Sequence, residues 1–435
     1  MSESAVFSLL GLLGIIGHVC YYTARDGIGH LTSTFAPALG VRIPYPFNTI
    51  CHIAAPALAF GLVTVGSRPA LFGAVALFSS WLLCQPYRIS NHLIFTWMCL
   101  VALAFAGSDQ DVAMRWLLAV LYLSAAAIKL NREFLTTEAS AAIFMLSRYC
   151  ERMGFGVPHQ MARCAPWAAV AAEASIGLLL LTPCPLLVTY TLAAVLHLGF
   201  GILGNFHFSL LVLAPWSLAL SVAPGTDTAV QVAVFFGAII GVVCGRFLTS
   251  PEVFPERGIG ILTNTGLATA YCAISAFIFT TADPANSSMV SWSAVTPIIL
   301  GVINIVLLIS GIKSEWSFAM FSNTRPFWSE RVIGVRIAWR ESYFHVIVPQ
   351  AVTESVRAPA HIRAKIADRS AVFSSAMAAE LQRLAPDEVV VRAARLDRER
   401  MLFVPADSAD AHQPSPGVFR HPPVLPRDLH LPYYG

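Results

Sequence analysis

Long runs of apolar residues recur along this chain, and they limit its possible folds more than any other feature. A helix of about 20 apolar residues matches the hydrocarbon thickness of a bilayer. The first run has no basic residue before it and no small-residue cleavage site, so it is predicted to be a retained helix. The sequence therefore predicts an all-α polytopic membrane protein, a bundle of about 9–11 transmembrane helices with a small C-terminal soluble tail. The predicted spans are about residues 4–23, 47–66, 69–84, 91–107, 112–130, 165–182, 185–203, 206–223, 228–248, 260–281 and 293–312.

The composition agrees with this class and excludes others. Of the 435 residues, 56% are hydrophobic and 12% are charged. The net charge of +3 gives no reason to expect a nucleic-acid partner, and the partner predicted instead is the lipid bilayer. Nine cysteines occur without a CxxC pair, so neither a disulfide framework nor a zinc site is indicated.

Basic residues between the predicted spans fall mainly on one side of the membrane. The positive-inside rule places that side, here called the basic face, in the cytoplasm. We therefore expect a multi-pass protein of the plasma membrane, with its N-terminus outside and its C-terminus inside. With eleven spans, the basic face carries Arg25, Arg42, Arg88, Arg132, Arg148, Arg152, Arg163, Arg246, Arg257 and Lys313, and the other face carries Arg68, Arg115, Asp109, Asp111, Asp227 and Asp283.

The chain after the transmembrane domain (residues 1–312) changes character. Residues 313–331 alternate aromatic and polar side chains, which predicts an interfacial segment. Residues 332–404 are predicted to form a small α+β tail, with one amphipathic helix over 371–384 capped by Ser370 and short strands at 388–391 and 401–404. Residues 405–435 are rich in Pro, Asp and His, which predicts disorder.

Polar residues concentrate at the basic face, which suggests a polar chamber sunk into one leaflet. For each histidine alone, the alternative is a satisfied side chain at a helix end. No HExxH motif, nucleophile elbow, P-loop or dinucleotide fingerprint is present, so no metal is predicted. The candidates are His18, Arg25, His52, Arg88, Asn91, His92, Lys129, Asn131, His197, Asn205 and His207, with Glu173 deeper in its span.

Lys129 is the most unusual of these residues, because it ends an otherwise apolar span. A lysine in hydrocarbon costs about 2.5–3.5 kcal/mol on insertion scales, so it is usually functional or snorkelling. Its position near a helix end leaves both alternatives open, since a long stem can lift the ammonium to the interface.

Four motifs resemble those of the vitamin K-dependent γ-glutamyl carboxylases and their bacterial relatives, the HTTM (horizontally transferred transmembrane) proteins. Lys129–Leu130–Asn131 followed by Phe134, within YLSAAAIKLNREFL, is similar to the family's lysine-bearing helix end. The pair Asn91–His92 is similar to the Asn-His pair that opens an earlier family helix. The run AVLHLGFGILGNFHFSLLVLAPWSL resembles the family's histidine helix, and EWSFAMFSNTRP resembles the segment after the last helix of bacterial members.

The resemblance implies an integral membrane enzyme that activates a C–H bond with a reduced quinone and dioxygen. The quinone would be menaquinol or vitamin K hydroquinone, and capture of CO₂ (or bicarbonate) would make the reaction a carboxylation, with oxygenation or another substitution as alternatives. In this interpretation Lys129 is the catalytic base, and His92 holds or orients the quinone or its developing charge. The resemblance assigns Asn91, His197 and His207 to quinone binding, and Asn131 and Asn205 to substrate binding or structural support. The polar chamber adds Arg88 as a predicted quinone ligand and Glu173 as a predicted substrate ligand or structural support.

The chain also departs from the family in ways that leave its substrate open, whether peptide or small molecule. About a hundred residues of tail replace the large extramembrane domain of the animal enzymes, and Arg132–Glu133 replaces an acidic stretch after the lysine. The family's site faces the lumen, whereas the charge distribution places Lys129 on the cytoplasmic side. The alternative function is a non-catalytic quinone-binding protein or a small-molecule transporter, although no internal repeat typical of transporters is present.

Overall fold

The computed structural model is mostly helical, and its helices follow the apolar runs closely. It describes residues 2–26, 41, 43–44, 46–83, 85, 89–136, 140–222, 227–248, 261–283, 291–309, 331–332, 335–336, 342–348, 360–387, 389–397, 402–406, 413–415 and 424–428. The predicted interfacial segment, residues 313–331, lies outside these ranges except for Arg331.

Each of the eleven predicted spans coincides with a helix, and the two further helices α6 and α7 lie between the fifth and sixth spans. The helices are α1 (Glu3–Asp26), α2 (Phe47–Val65), α3 (Arg68–Leu83), α4 (Asn91–Ala106), α5 (Gln110–Lys129), α6 (Arg132–Thr136), α7 (Ala141–Arg152), α8 (His159–Leu180), α9 (Leu186–Phe200), α10 (Phe206–Ala219), α11 (Thr228–Val243), α12 (Ile261–Thr281) and α13 (Val295–Ile309). Two five-residue π-helical segments, Gly201–Asn205 and Cys244–Leu248, follow α9 and α11.

Five helical segments in the described part of the chain are long and apolar enough to cross a membrane. The other apolar helices are shorter, although their composition is similar. The five segments are Glu3–Cys20, Gln110–Lys129, His159–Leu180, Thr228–Phe247 and Leu262–Thr281.

The central helix of the bundle is α10, because all its residues are buried. It forms an antiparallel hairpin with α9, although only the π-helical segment Gly201–Asn205 separates them. The Ser209 hydroxyl donates to the His197 carbonyl at 2.8 Å, and the rings of Tyr190 and Trp216 lie 5.4 Å apart. In a straight helix, residues 197 and 209 would be about 18 Å apart, so the chain reverses between them.

Neighbouring helices elsewhere in the bundle are also antiparallel. The pairs α1 with α10, α5 with α8, and α11 with α12 each run in opposite directions. The contacts that fix these directions are Gly14 with Leu211 and Gly17 with Leu210, Arg115 with Leu180 and Lys129 with Glu173, and Gly237 with Cys272 and Gly245 with Thr265.

One end of the bundle collects the ends of α1, α5 and α9 and the beginning of α10. The beginnings of α1 and α5 meet at the opposite end, where the Ser4 hydroxyl donates to Gln110 Oε1 at 3.5 Å. The end that holds the α9–α10 turn is called the polar end below, because it holds the buried histidines and Lys129.

The all-α description applies to the helical bundle alone, because the C-terminal region contains a small antiparallel sheet. The strands are β1 (Arg331–Val332), β2 (Val335–Arg336), β3 (Tyr343–Ile347), β4 (Ala371–Ser374), β5 (Val390–Asp397), β6 (Leu402–Pro405) and β7 (Val424–Pro426), with helices α14 (Ala360–Ala367) and α15 (Ser375–Leu384). Strands β3 to β7 form an antiparallel sheet in the order β6-β5-β3-β4-β7.

Two predictions for the tail were wrong. Residues 371–374 form strand β4 instead of helix, and α15 begins at Ser375, where the Ser374 hydroxyl accepts from the backbone N–H of Met377. Apolar residues at 371–373 fit a buried strand as well as a helix turn, so the pattern could not separate the two. Residues 424–426, predicted to be disordered, form β7 because they complete the edge of β4.

The outer edges of this sheet meet, so the sheet curls into a partly closed barrel. Leu402 on β6 bridges Asp428 after β7, and the Phe403 N–H donates to the Arg427 carbonyl at 2.9 Å. The Arg427 side chain donates back to the Phe403 carbonyl at 3.2 Å. One face of the sheet packs against α14 and α15, while the other buries a small cluster of Tyr343, Val372, Phe403 and Leu425.

Candidate functional site

Three polar residues lie on one face of α5. Arg115, Tyr122 and Lys129 are seven residues apart, so they are separated by two helical turns, about 10 Å along the axis. All three are buried. Each contacts a different part of α8 or α9.

Lys129 forms a buried ion pair with Glu173 of α8. The Nζ atom lies 2.8 Å from Oε1 and 2.8 Å from Oε2, and each residue keeps only 3% of its surface exposed. This burial contradicts the snorkelling alternative for Lys129, which required an ammonium at the interface. Because the two groups are in direct contact away from water, moving one proton across 2.8 Å turns an ammonium and a carboxylate into an amine and a carboxylic acid.

Tyr122 links His197 of α9 to Trp216 of α10. The Trp216 indole N–H donates to the Tyr122 oxygen at 3.4 Å, and the Tyr122 oxygen lies 2.8 Å from His197 Nε2. Since an indole can only donate, Tyr122 accepts from Trp216 and has its own proton to donate to His197 Nε2. That assignment places the proton of neutral His197 on Nδ1, a buried atom with no hydrogen-bond partner among the described residues.

Arg115 contacts α8 at the other end of the interface between α5 and α8. Its side chain donates to the carbonyls of Leu180 at 2.6 Å and Thr182 at 2.8 Å, where α8 ends and leaves carbonyls without helical partners. Between this contact and the ion pair, Gly177 packs directly on Leu123. The axial position of α8 relative to α5 is therefore fixed at three levels.

The residues after Lys129 have structural roles that account for their spacing. Asn131 donates to the Ile128 carbonyl at 2.9 Å and accepts from the Phe134 N–H at 2.8 Å, so it ends α5 and caps α6. Phe134 packs in a buried cluster with Ala126 and Met145. The Lys-Leu-Asn-x-x-Phe motif thus consists of one ion-paired residue, one cap and one packing residue.

A second polar cluster brings three histidines together on the other side of α10. The Trp81 indole donates to His52 Nδ1 at 3.1 Å, which keeps His52 a neutral imidazole while this bond persists. The His18 ring lies 6.3 Å from Trp81 and 6.4 Å from His207. His207 therefore contacts a different group of residues from His197, although the resemblance assigned both to one ligand.

The remaining predicted site residues are placed only in part. Asn91 is half-buried at the first position of α4, and Asn205 is buried at the junction of the π-helical segment and α10. The His92 side chain and all of Arg88 lie outside the described residues. Among the residues that the structure describes, no group of three or more His, Cys, Asp or Glu side chains could hold a metal ion.

Four members of these clusters were not predicted from the sequence: Tyr122, Trp216, Arg115 and Trp81. The seven-residue period of polar side chains in α5 was the signal for Tyr122 and Arg115. Nothing in the sequence paired Trp216 with Tyr122, because the pairing depends on the α9–α10 hairpin.

No family model, curated protein or solved structure matches this chain. The likeness to the carboxylase and HTTM group therefore depends on the four short motifs alone.

Proposed function

We propose that the chain crosses the plasma membrane eleven times, with its N-terminus outside and its tail in the cytoplasm. The antiparallel packing of sequential and neighbouring helices supports this, because eleven alternating spans give these directions. The arginine distribution supports the orientation. On this topology, the polar end of the bundle lies in the cytoplasmic leaflet.

We propose further that this protein is a membrane enzyme that uses a reduced quinone and dioxygen to activate a C–H bond, with carboxylation as the leading outcome. The observation that carries the proposal is the buried Lys129–Glu173 pair. Ionisable residues inside a membrane domain are costly to insert and are usually retained for function.

The donor set suits a quinol headgroup, which presents hydroxyl or carbonyl oxygens on an apolar ring. His197 offers a buried Nδ1–H without a partner among the described residues, and an oxygen acceptor would satisfy it. Among the described residues, Lys129 donates only to Glu173, which leaves one of its three donor positions for a ligand. When bound, the quinol would supply the reducing power and the reaction with dioxygen.

The side chains of the site would accept and hold one proton. Lys129 acts as base in its amine form, with Glu173 as the neutral acid beside it. Lys129 would accept the proton of a quinol hydroxyl, and as an ammonium it would be opposite in charge to the oxygen that lost the proton. His197 would orient that headgroup through Nδ1–H, held in this tautomer by Tyr122 and Trp216.

The test is Lys129→Arg in the full chain, reconstituted in lipid nanodiscs. Arginine keeps the charge and the contact with Glu173 but does not act as a base near neutral pH. We expect hydroquinone-dependent oxygen uptake to fall by about 100-fold or more, the usual contribution of acid–base catalysis. Lys365→Arg, on α14, is the matched control and should keep the wild-type rate.

Two results would reject this proposal. Wild-type oxygen uptake by folded Lys129→Arg would show that the lysine is not a base. A wild-type protein that binds quinone by mass spectrometry but consumes no oxygen would favour the alternative, a non-catalytic quinone-binding protein or transporter.

A further inference from the structure

The amphipathic helix α7 ends in a turn that directs the residues after it toward the outside of the bundle. Gly154 has φ +81°, its N–H donates to the Glu151 carbonyl at 3.0 Å, and the Phe155 N–H donates to the Cys150 carbonyl at 3.1 Å. This pair of bonds is the Schellman motif, which requires a left-handed residue and therefore favours glycine. The direction of the chain after α7 is thus determined by the turn itself.

The segment after this turn exposes large apolar side chains. Met153, Phe155, Met161 and Trp167 keep 51%, 50%, 48% and 54% of their surfaces exposed. By contrast, the inner face of α7 is buried, with Ala141, Met145 and Cys150 in the interior. Four large apolar side chains are thus exposed within fifteen residues. An exposed apolar surface of this kind marks a site of contact with a membrane or with another protein.

The exposed apolar residues are accompanied by positive charge. Arg163 and His159 are exposed at the beginning of α8, and the sequence adds Arg148 and Arg152 within α7. Glu151 is the one acidic residue between residues 140 and 163. The pairing of apolar and basic side chains is that of a helix lying in a membrane interface.

We propose that α7 and residues 153–163 lie in the plane of the membrane interface and bind anionic phospholipids of the same leaflet. This inference rests on the proposed topology, which places the segment at the cytoplasmic surface, where anionic lipids lie. The choice of lipid over a protein partner follows from continuity: the exposed apolar strip continues along α8 through Trp167 to Leu178, 57% exposed, on a helix long enough to cross the membrane.

The inner face of α7 connects this surface to the ion pair. Met145 packs with Phe134, Ala126 and Val170 in one cluster. Ala126 lies one turn before Lys129 and Val170 lies one turn before Glu173, so a shift of α7 acts on both helices that carry the pair. Anionic lipid is therefore a candidate regulator of the proton-handling site.

Fluorescence of a label at residue 155 tests the proposal. Phe155→Cys is labelled with an environment-sensitive dye in the full chain, with the exposed Cys20 and Cys164 replaced by serine. In nanodiscs, lipids with a nitroxide on the acyl chain should quench this label at least about twofold. Val390→Cys, at a residue of the soluble tail that is 52% exposed, is the matched control and should not be quenched.

The charge requirement is measured separately, with short-chain phosphatidylglycerol or phosphatidylcholine added to the detergent-solubilised protein. The label at residue 155 should respond to phosphatidylglycerol at a lower concentration, and Arg163→Gln should raise that concentration about fivefold. An unquenched residue 155, or equal responses to both lipids, would overturn the proposal. Neither readout uses oxygen uptake, so an inactive enzyme would still give both results.

Discussion

Two antiparallel helix pairs in this bundle are held together by different kinds of contact. Between α11 and α12 the contact is made by glycine: a Cβ added at Gly237, Gly241 or Gly245 would lie within 2.6 Å of a backbone atom of α12. Between α5 and α8 the contact includes a glycine too, but buried charges lie at both ends of it, with Arg115 on backbone carbonyls and Lys129 on Glu173.

The difference shows that this chain does not need charges to hold helices together. Small residues at every fourth position allow backbones to approach closely, which is the common solution in an apolar medium. Burying a lysine and a glutamate costs several kcal/mol in desolvation, which their attraction offsets only with good geometry. The ion pair is therefore better explained by a chemical role than by a contribution to helix packing.

The largest expected effect comes from removing one partner of the ion pair. Glu173→Met leaves the Lys129 ammonium buried without its carboxylate, and we expect a loss of about 3–5 kcal/mol in the free energy of unfolding. Reversible unfolding in mixed detergent micelles measures it.

The double variant Lys129→Met with Glu173→Met sharpens this result. Replacing both charges by apolar groups of similar volume is often neutral or stabilising, so the double variant should recover the stability while oxygen uptake stays absent. If the double variant were as unstable as Glu173→Met alone, the pair would be needed for the fold, and the contrast between the two interfaces would fail.

An intermediate effect is expected at the glycine interface. The Cβ of Gly241→Ala would lie 2.5 Å from the carbonyl oxygen of Ala268, so α11 and α12 must separate. We expect a loss of about 1–3 kcal/mol by the same unfolding measurement. Gly61→Ala, in α2, is the control, because nothing lies within 4 Å of the new methyl group. Equal stabilities of the two variants would show that close approach is not what joins α11 to α12.

The smallest effect concerns His345 on β3, an ionisable group without a carboxylate partner in the described part of the tail. Burial holds the pKa of His345 below the ordinary value; a hydrogen bond with the Val404 backbone opposes this shift, and nearby Arg427 adds to it. Below about pH 6.5, the unfolded chain therefore binds a proton at His345, whereas the folded sheet binds it only at a lower pH. Stability of the sheet should be complete above that pH and fall as the pH drops through the lower folded value.

Hydrogen exchange of the β3–β6 peptides in the full chain, at about pH 7.5 and about pH 5 after correction for intrinsic rates, measures this loss. His345→Asn removes the titrating group and should flatten the dependence. A wild-type sheet with unchanged protection at low pH would contradict the assignment to His345.

The sequence allowed the helices to be located but not the contacts between them. The length of the apolar runs alone located the helices of the bundle, because a helix forms its backbone hydrogen bonds within itself and needs no partner. Lys129 and Glu173 were both singled out, yet their pairing depends on the antiparallel position of α8, which no local pattern encodes. Gly237, Gly241 and Gly245 recur at a four-residue spacing, a small-residue motif that is typical of close helix contacts but was not used in the prediction.

The tail was harder to predict because its strands are short and depend on distant partners. Residues 424–426 are too few to carry a strand signal, and they are ordered by pairing with 371–373. Because the local sequence does not show this pairing, the apolar residues 371–373 fitted a helix turn as well as a strand.

The meeting of the two sheet edges has a consequence for biosynthesis. Strand β7 follows the other four strands in the sequence, yet it covers the open edge of β4 and brings Asp428 to Leu402. During translation, β3, β4, β5 and β6 leave the ribosome before the strand that protects them. Until residue 428 has emerged, the nascent tail carries unpaired backbone groups on both outer strands, a template for pairing with another chain. A premature stop between residues 406 and 423 would make that exposure permanent, so such a product is expected to associate through its tail.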